Sequence, residues 1–173
     1  MCLTVREVPS WEEHGWVEGW KWLRFIEGYD WGPGIARSMR LVAPMQSHYE
    51  YQVGVNKAVG IPTHNKAALR RLLKDSHQPD LNAGVLHLYT SKSAARRSYL
   101  DGPDSVLVQV WAHSRDILAE GNWFWTKENF PEMAATKLTI EKEEFERAIK
   151  AARRKAARNR RVMSTWPLKK QRW

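Results

Sequence analysis

Residues 84–125 read GVLHLYTSKSAARRSYLDGPDSVLVQVWAHSRDILAEGNWFW, and the reading of this stretch decides the fold. Val85 to Tyr89 is a short apolar run of strand-forming composition. Thr90 and Ser91 then offer helix caps, and a short helix near 91–100 carries Ala94, Ala95 and Tyr99. Asp101-Gly102-Pro103-Asp104 ends it, because Gly and Pro both break helices. Val106 to Trp111 is the most hydrophobic run of the chain and is expected to be a central strand. Gly121-Asn122 separates two further strand-like pieces, which predicts a hairpin there.

Upstream, residues 1–34 hold Trp11, Trp16, Trp20, Trp22 and Trp31. Gly19 to Ile26 reads as a strand with Trp20 and Trp22 on one face, by the period-two rule. Two uses suit these rings: filling a core, or forming a stacking platform for bases or a protein partner. Gly32-Pro33-Gly34 marks a turn, and Ile35 to Pro44 is a second strand. Tyr49 and Tyr51 alternate in a looser segment, and Asn56 to Thr63 reads as loop. Thr63 or Asn65 caps a helix over 65–75, in which Leu69, Leu72 and Leu73 form one apolar stripe. Downstream, 126–131 reads as loop, 136–140 as a short strand and 141–162 as a final helix. In that helix Phe145, Ala148, Ile149, Ala152 and Ala156 form a narrow stripe, with Glu143–Arg147 and Glu146–Lys150 as i, i+4 pairs. From Ala157 the apolar surface runs out, so the helix is expected to project or fray.

These elements predict an α+β fold: a twisted, mainly antiparallel sheet with flanking helices and a basic C-terminal helix. A chain of 173 residues suits one such domain and can bury a core. Residues 1–140 form the α+β part and 141–173 the basic helix and tail. The net charge of +9 is concentrated in that tail, which has eleven Lys and Arg after Glu146 and no acid. Subtracting those eleven from the 28 Lys and Arg leaves 17 against 19 Asp and Glu, a net of −2. A nearly neutral body with a cationic arm favours a polyanionic partner: nucleic acid, a host nucleoprotein or an acidic protein. The candidate contact residues are Arg153, Arg154, Lys155, Arg158, Arg160, Arg161, Lys169, Lys170 and Arg172, with Trp166 and Trp173 adding aromatic surface.

Motifs for catalysis and cofactors are missing from the sequence. The histidines at 14, 48, 64, 77, 87 and 113 show no close ligand pairing, and Cys2 is the one cysteine, so no metal or cofactor is implied. There is no phosphate-cradling G-x-x-x-x-G-K-[ST], no G-x-G-x-x-G and no G-x-S-x-G. No apolar run approaches a membrane span and no leader pattern begins the chain, so a cytoplasmic protein without membrane contact is expected. His87 and His113 could face one pocket across neighbouring strands, with Glu120 or Tyr89 beside them; a structural role is the favoured reading at each, because nothing local supplies an activated nucleophile.

The order of pieces resembles a family of small proteins encoded by bacteriophages and bacteria. Its members have an aromatic first strand, R-x-x-x-P, G-x-N, a G-x-H-x-[YF]-[TK] strand entering an alanine-rich helix, a hydrophobic strand and an acid-containing aromatic hairpin. The matching residues are Arg40 with Pro44, Gly54 with Asn56, Gly84 to Thr90 with Ala94 and Ala95, Val106 to Trp111, and Glu120 to Trp125. The match spans roughly residues 19–140, omits the basic arm and departs at Leu86, which is bulkier than the pattern. It implies a phage origin and an α+β domain, not an activity. The absent catalytic motifs, the aromatic surface and the cationic arm lead instead to the expectation of a non-enzymatic accessory protein on a host nucleic-acid-handling or defence complex. A second similarity is to ADP-ribosyltransferase-like domains, through the strand, short helix and strand ending in Arg115-Asp116-Ile117-Leu118. That similarity would make Glu120 the late acid of an enzyme modifying a host target.

Overall fold

A computed structural model describes residues 3–9, 15–29, 37–43, 49–75, 77, 79–81, 84–98, 102–123 and 131–165. Trp11, Trp31, the turn at 32–34, Trp125 and Cys2 lie outside the described residues. In chain order the strands are β1 (Leu3–Glu7), β2 (Trp16–Tyr29), β3 (Arg37–Val42), β4 (Glu50–Tyr51), β5 (Gly54–Lys57), β6 (Asp80–Leu81), β7 (Leu86–Tyr89), β8 (Ser105–His113), β9 (Ile117–Trp123), β10 (Pro131–Ala135) and β11 (Lys137–Ile140). The helices are α1 (Lys66–Lys74), α2 (Lys92–Arg97) and α3 (Lys142–Thr165). The expected α+β class holds: the described strands form one sheet in which every pairing is antiparallel, in the order β5-β11-β8-β2-β7-β10-β9-β1-β6, with β3 on β2 and β4 on β3.

The longest pairing joins β2 to β8, from Trp16↔His113 to Arg24↔Ser105. On its other edge β2 meets β7 at Trp20↔Tyr89 and β3 from Arg24↔Val42 onward. β8 alternates as the sequence requires. Val106, Val108, Val110 and Ala112 are buried and share a core with Leu23, Phe25, Leu41, Tyr51, Leu138 and Ile140. Ala148, Ala152 and Ala156 of α3 close that core, so α3 packs on the sheet. A second cluster sets Leu69 of α1 against Leu3, Val5, Leu81 and Leu118. Asn65, not Thr63, caps α1, its Oδ1 accepting from Ala68 N at 2.9 Å. Ser91 Oγ caps α2, accepting from Ala94 N at 3.1 Å.

Helix α3 also completes an open sheet edge. β11 pairs with β8 at Thr139↔Trp111, so among the described residues the outward peptide groups of residues 105–109 have no strand neighbour there. Side chains of α3 take the strand's place. Glu144 Oε1 accepts from Gln109 N at 2.6 Å, Arg147 Nη2 donates to Leu107 O at 3.3 Å and Lys155 Nζ donates to Ser105 O at 2.8 Å. Asn159 Nδ2 continues the series, donating to Pro103 O at 3.0 Å. Three expectations are corrected here. Of the two alternatives beyond Ala157, fraying does not hold: α3 continues as helix to Thr165, with Asn159 bonded to Pro103 O. Arg147 pairs with Glu144 through Nε and Nη2 rather than with Glu143, since Glu144 is already fixed by Gln109. Lys155 is turned toward the 102–105 turn instead of outward.

Gly121-Asn122 is not a turn. It lies inside β9, and the partner of β9 across the following connection is β10. The glycine answers a close approach instead: a Cβ at 121 would stand 2.0 Å from Thr4 O of β1. Residues 54–57, read in part as loop, form the edge strand β5. β1 and β10 carry no expectation from the sequence, because PEMAA has weak strand composition and is held by ladders on both sides.

Candidate nucleic-acid interface

With 100° per residue, the stripe of Ala148, Ala152 and Ala156 leaves one side of α3 to solvent. That side and its flanks expose Lys150, Arg153, Arg154, Arg158, Arg160 and Arg161. Arg160 and Arg161 also take part in interactions within the chain. Of the expected contact residues, Lys155 donates to Gly102 O and Ser105 O. Trp166, Lys169, Lys170, Arg172 and Trp173 lie outside the described residues.

A second basic element joins this surface, one the sequence reading did not single out. Trp22 is buried and donates from Nε1 to Ala95 O of α2 at 2.6 Å, while Lys155 Nζ of α3 stands 6.0 Å from its ring centroid. One tryptophan thus touches both helices. The exposed Lys92, Arg96 and Arg97 of α2 lie on the helix that covers it. Lys92 Nζ sits 4.6 Å from the Trp20 centroid, a cation over an aromatic face. Trp20 and Trp22 do share one face, as the alternation requires, and pack with Ala94 and Ala95. For these two rings core packing is the role observed. Trp16 differs, being 58% exposed.

The histidines do not meet. His113 lies at the open end of β8 against Trp16, with ring centroids 5.5 Å apart. Glu120 lines a separate cleft of about 190 Å³ with Arg6, Glu7, Asn122 and Glu132. Burial, and then the charge of Glu7, raises its carboxyl above the usual range. His87 belongs to a buried polar group with Lys21, Tyr89 and Glu132. Its Nδ1 stands 3.6 Å from Glu132 Oε2, a charge-pair distance too long for a hydrogen bond. Both imidazole nitrogens, both Glu132 oxygens and Tyr89 Oη are buried without a hydrogen-bond partner among the described residues. Burial lowers the His87 pKa despite Glu132, and burial raises that of Tyr89. Lys21 enters where β2 leaves β7, its ammonium donating to His87 O and lying 5.6 Å from the Tyr51 centroid. Burial lowers its pKa to about 8, against a raising pull from Glu132.

Among the described residues no cluster of His, Cys, Asp and Glu is arranged to hold a metal. No described helix is long and apolar enough to cross a membrane. No family model matches the chain, and no curated protein and no solved structure matches it either.

Proposed function

We propose that this protein binds nucleic acid through the outward face of α3, flanked by α2. The observation that carries the reading is the run of exposed bases from Lys150 to Arg161, with no acid after Glu146. A helix with such a face follows a phosphate backbone without reading sequence, and each phosphate it neutralises releases condensed counterions. Packing of α3 against β8 supports the reading, because a seated helix presents its charges at fixed spacing. The resemblance adds a phage origin, and the setting proposed is an accessory protein acting on a host nucleic-acid-handling or defence complex.

An ADP-ribosyltransferase-like enzyme is the competing reading, and the geometry favours it less. His87, Tyr89 and Glu132 are largely buried, and Glu120 faces Glu7 rather than a histidine. Labelled NAD incubated with the protein and host lysate would reveal such an activity by label transfer that disappears in Glu120→Gln.

The test of binding is fluorescence anisotropy on a labelled duplex across a salt series. If Arg153, Arg154, Arg158, Arg160 and Arg161 each engage a phosphate, the log–log slope is roughly −4 to −5. Replacing Arg153, Arg154 and Arg158 by Glu should abolish most of that affinity and leave the unfolding midpoint near its original value. A triple variant that binds the duplex as tightly as the parent overturns the proposal. Binding that survives only on an acidic protein, and not on duplex or single strand, overturns it equally.

A further inference from the structure

β2, β8, β11 and β5 are neighbours in that order, so their outward residues form one continuous surface. Val110, Ala112, Leu138, Ile140 and Asn56 point inward and are buried. Alternation therefore sends Trp111 and His113 of β8, Lys137 and Thr139 of β11, and Val55 and Lys57 of β5 to the outer face, beside Trp16. At the Trp22 end this face is covered by α2. At the Trp16 end it is open and forms a cleft.

The cleft has two lobes that share Trp16 and Thr139. One, of about 380 Å³, is lined by Trp16 and His113 with Lys57, Arg115, Asp116 and Lys137. The other, of about 320 Å³, is walled by Trp16 and Trp111 and has Glu141 at its margin. Both volumes lie in the range of small-molecule sites. Lys57 and Lys137 are direct cross-strand partners, an arrangement that repels unless an anion lies between them. Asp116 is the acid of the first lobe and is shared, 3.9 Å from Arg115 Nε and 3.5 Å from Lys137 Nζ. Three cations against one carboxylate leave that lobe with a net charge of +2. Trp16 keeps its ring in solvent, edge-on to His113 at an interplanar angle of 70°. A sheet face with exposed aromatic rings and a cationic rim is how bases are stacked and their phosphates held.

We propose that this cleft binds a nucleotide unit, its base against Trp16 and Trp111 and its phosphate between Lys57, Lys137 and Arg115. Glu141 supplies an acceptor for an exocyclic amine of the base, which makes adenylate the suitable probe. The site lies at the N-terminal end of α3 and stands whether or not the basic helix binds a duplex.

Calorimetric titration of the full chain with AMP tests it, beside adenosine and ribose 5-phosphate, which each lack one half of the ligand. AMP should bind at least about tenfold more tightly than either fragment, since one stacked base has roughly that worth. Trp16→Ala and Lys137→Ala should each weaken AMP by about tenfold or more, and Trp16→Phe should restore most of the loss. Trp16 is exposed, so its replacement spares the core, and the unfolding midpoint measured alongside checks this. The Arg153/Arg154/Arg158 triple variant should bind AMP unchanged, which separates failure here from failure of the helix surface. A short oligoadenylate binding more tightly than AMP assigns the site to a nucleic-acid strand; equal affinity assigns it to the free nucleotide. Ribose 5-phosphate or inorganic phosphate binding as tightly as AMP, or Trp16→Ala binding AMP like the parent, overturns the proposal.

Discussion

Lys21 gives the protein a measurable alkaline signature. Its ammonium is buried at the notch between β2 and β7, and its pKa falls from 10.5 to about 8 on folding, burial outweighing Glu132. Between those values the unfolded chain binds a proton that the folded chain does not, so stability must rise with pH through the window. Integrating the two titrations from pH 7 to pH 10 gives a gain of about 2.5 kcal/mol from this one group. Lys21→Met keeps the unbranched stem and removes the titration. It also strips Glu132 of a buried counter-charge, so its absolute stability is not the diagnostic quantity. The diagnostic is the difference between parent and variant as pH changes. Tyrosines such as Tyr51 and Tyr89, whose pKa values burial raises, pull stability down above pH 10, but they do so in both proteins and cancel. Urea unfolding of both at several pH values from 7 to 10 measures the difference. The parent should gain about 2.5 kcal/mol on the variant across the range. Curves that stay parallel to within about 0.5 kcal/mol would show that water or a partner solvates the ammonium, and the burial argument would be wrong.

Two further outcomes follow from close contacts. Gly121→Ala puts a methyl group 2.0 Å from Thr4 O and 2.9 Å from Thr4 C, where backbone faces backbone, so β1 must separate from β9. Denaturant unfolding should show a loss of about 3 kcal/mol, with hydrogen exchange fastest at Leu3 and Val5; a stable variant with protected amides there would refute the packing. Glu144→Ala leaves Gln109 N–H without its acceptor and should cost about 2 kcal/mol, while Glu144→Gln, which keeps an oxygen, should cost less than about 1 kcal/mol. Equal losses in the two would show that Glu144 acts through Arg147 rather than by closing the edge of β8.

Much of the fold is written locally. The alternation of Val106, Val108 and Val110, the leucine stripe of α1, the caps at Asn65 and Ser91 and the alanine stripe of α3 are short-range signals, and each element formed where its pattern lies. The concentration of bases after Glu146 is equally a property of the chain, and from it the cationic helix could be anticipated. What needed the tertiary structure depends on residues distant in sequence. Gly121 resembles a turn residue until Thr4 is placed against it. Pro131–Ala135 carries no strand signal of its own until ladders from β7 and β9 enclose it. Lys155 belongs by sequence with its neighbouring arginines, yet the open edge of β8 draws it inward. The cleft at Trp16 is wholly of this second kind: Lys57, His113 and Lys137 come together through the order of four strands. Periodicity decides which face of an element is apolar, because that depends on dihedral angles a few residues long. Which elements become neighbours is decided by the burial of those faces together, a free energy that no single segment contains.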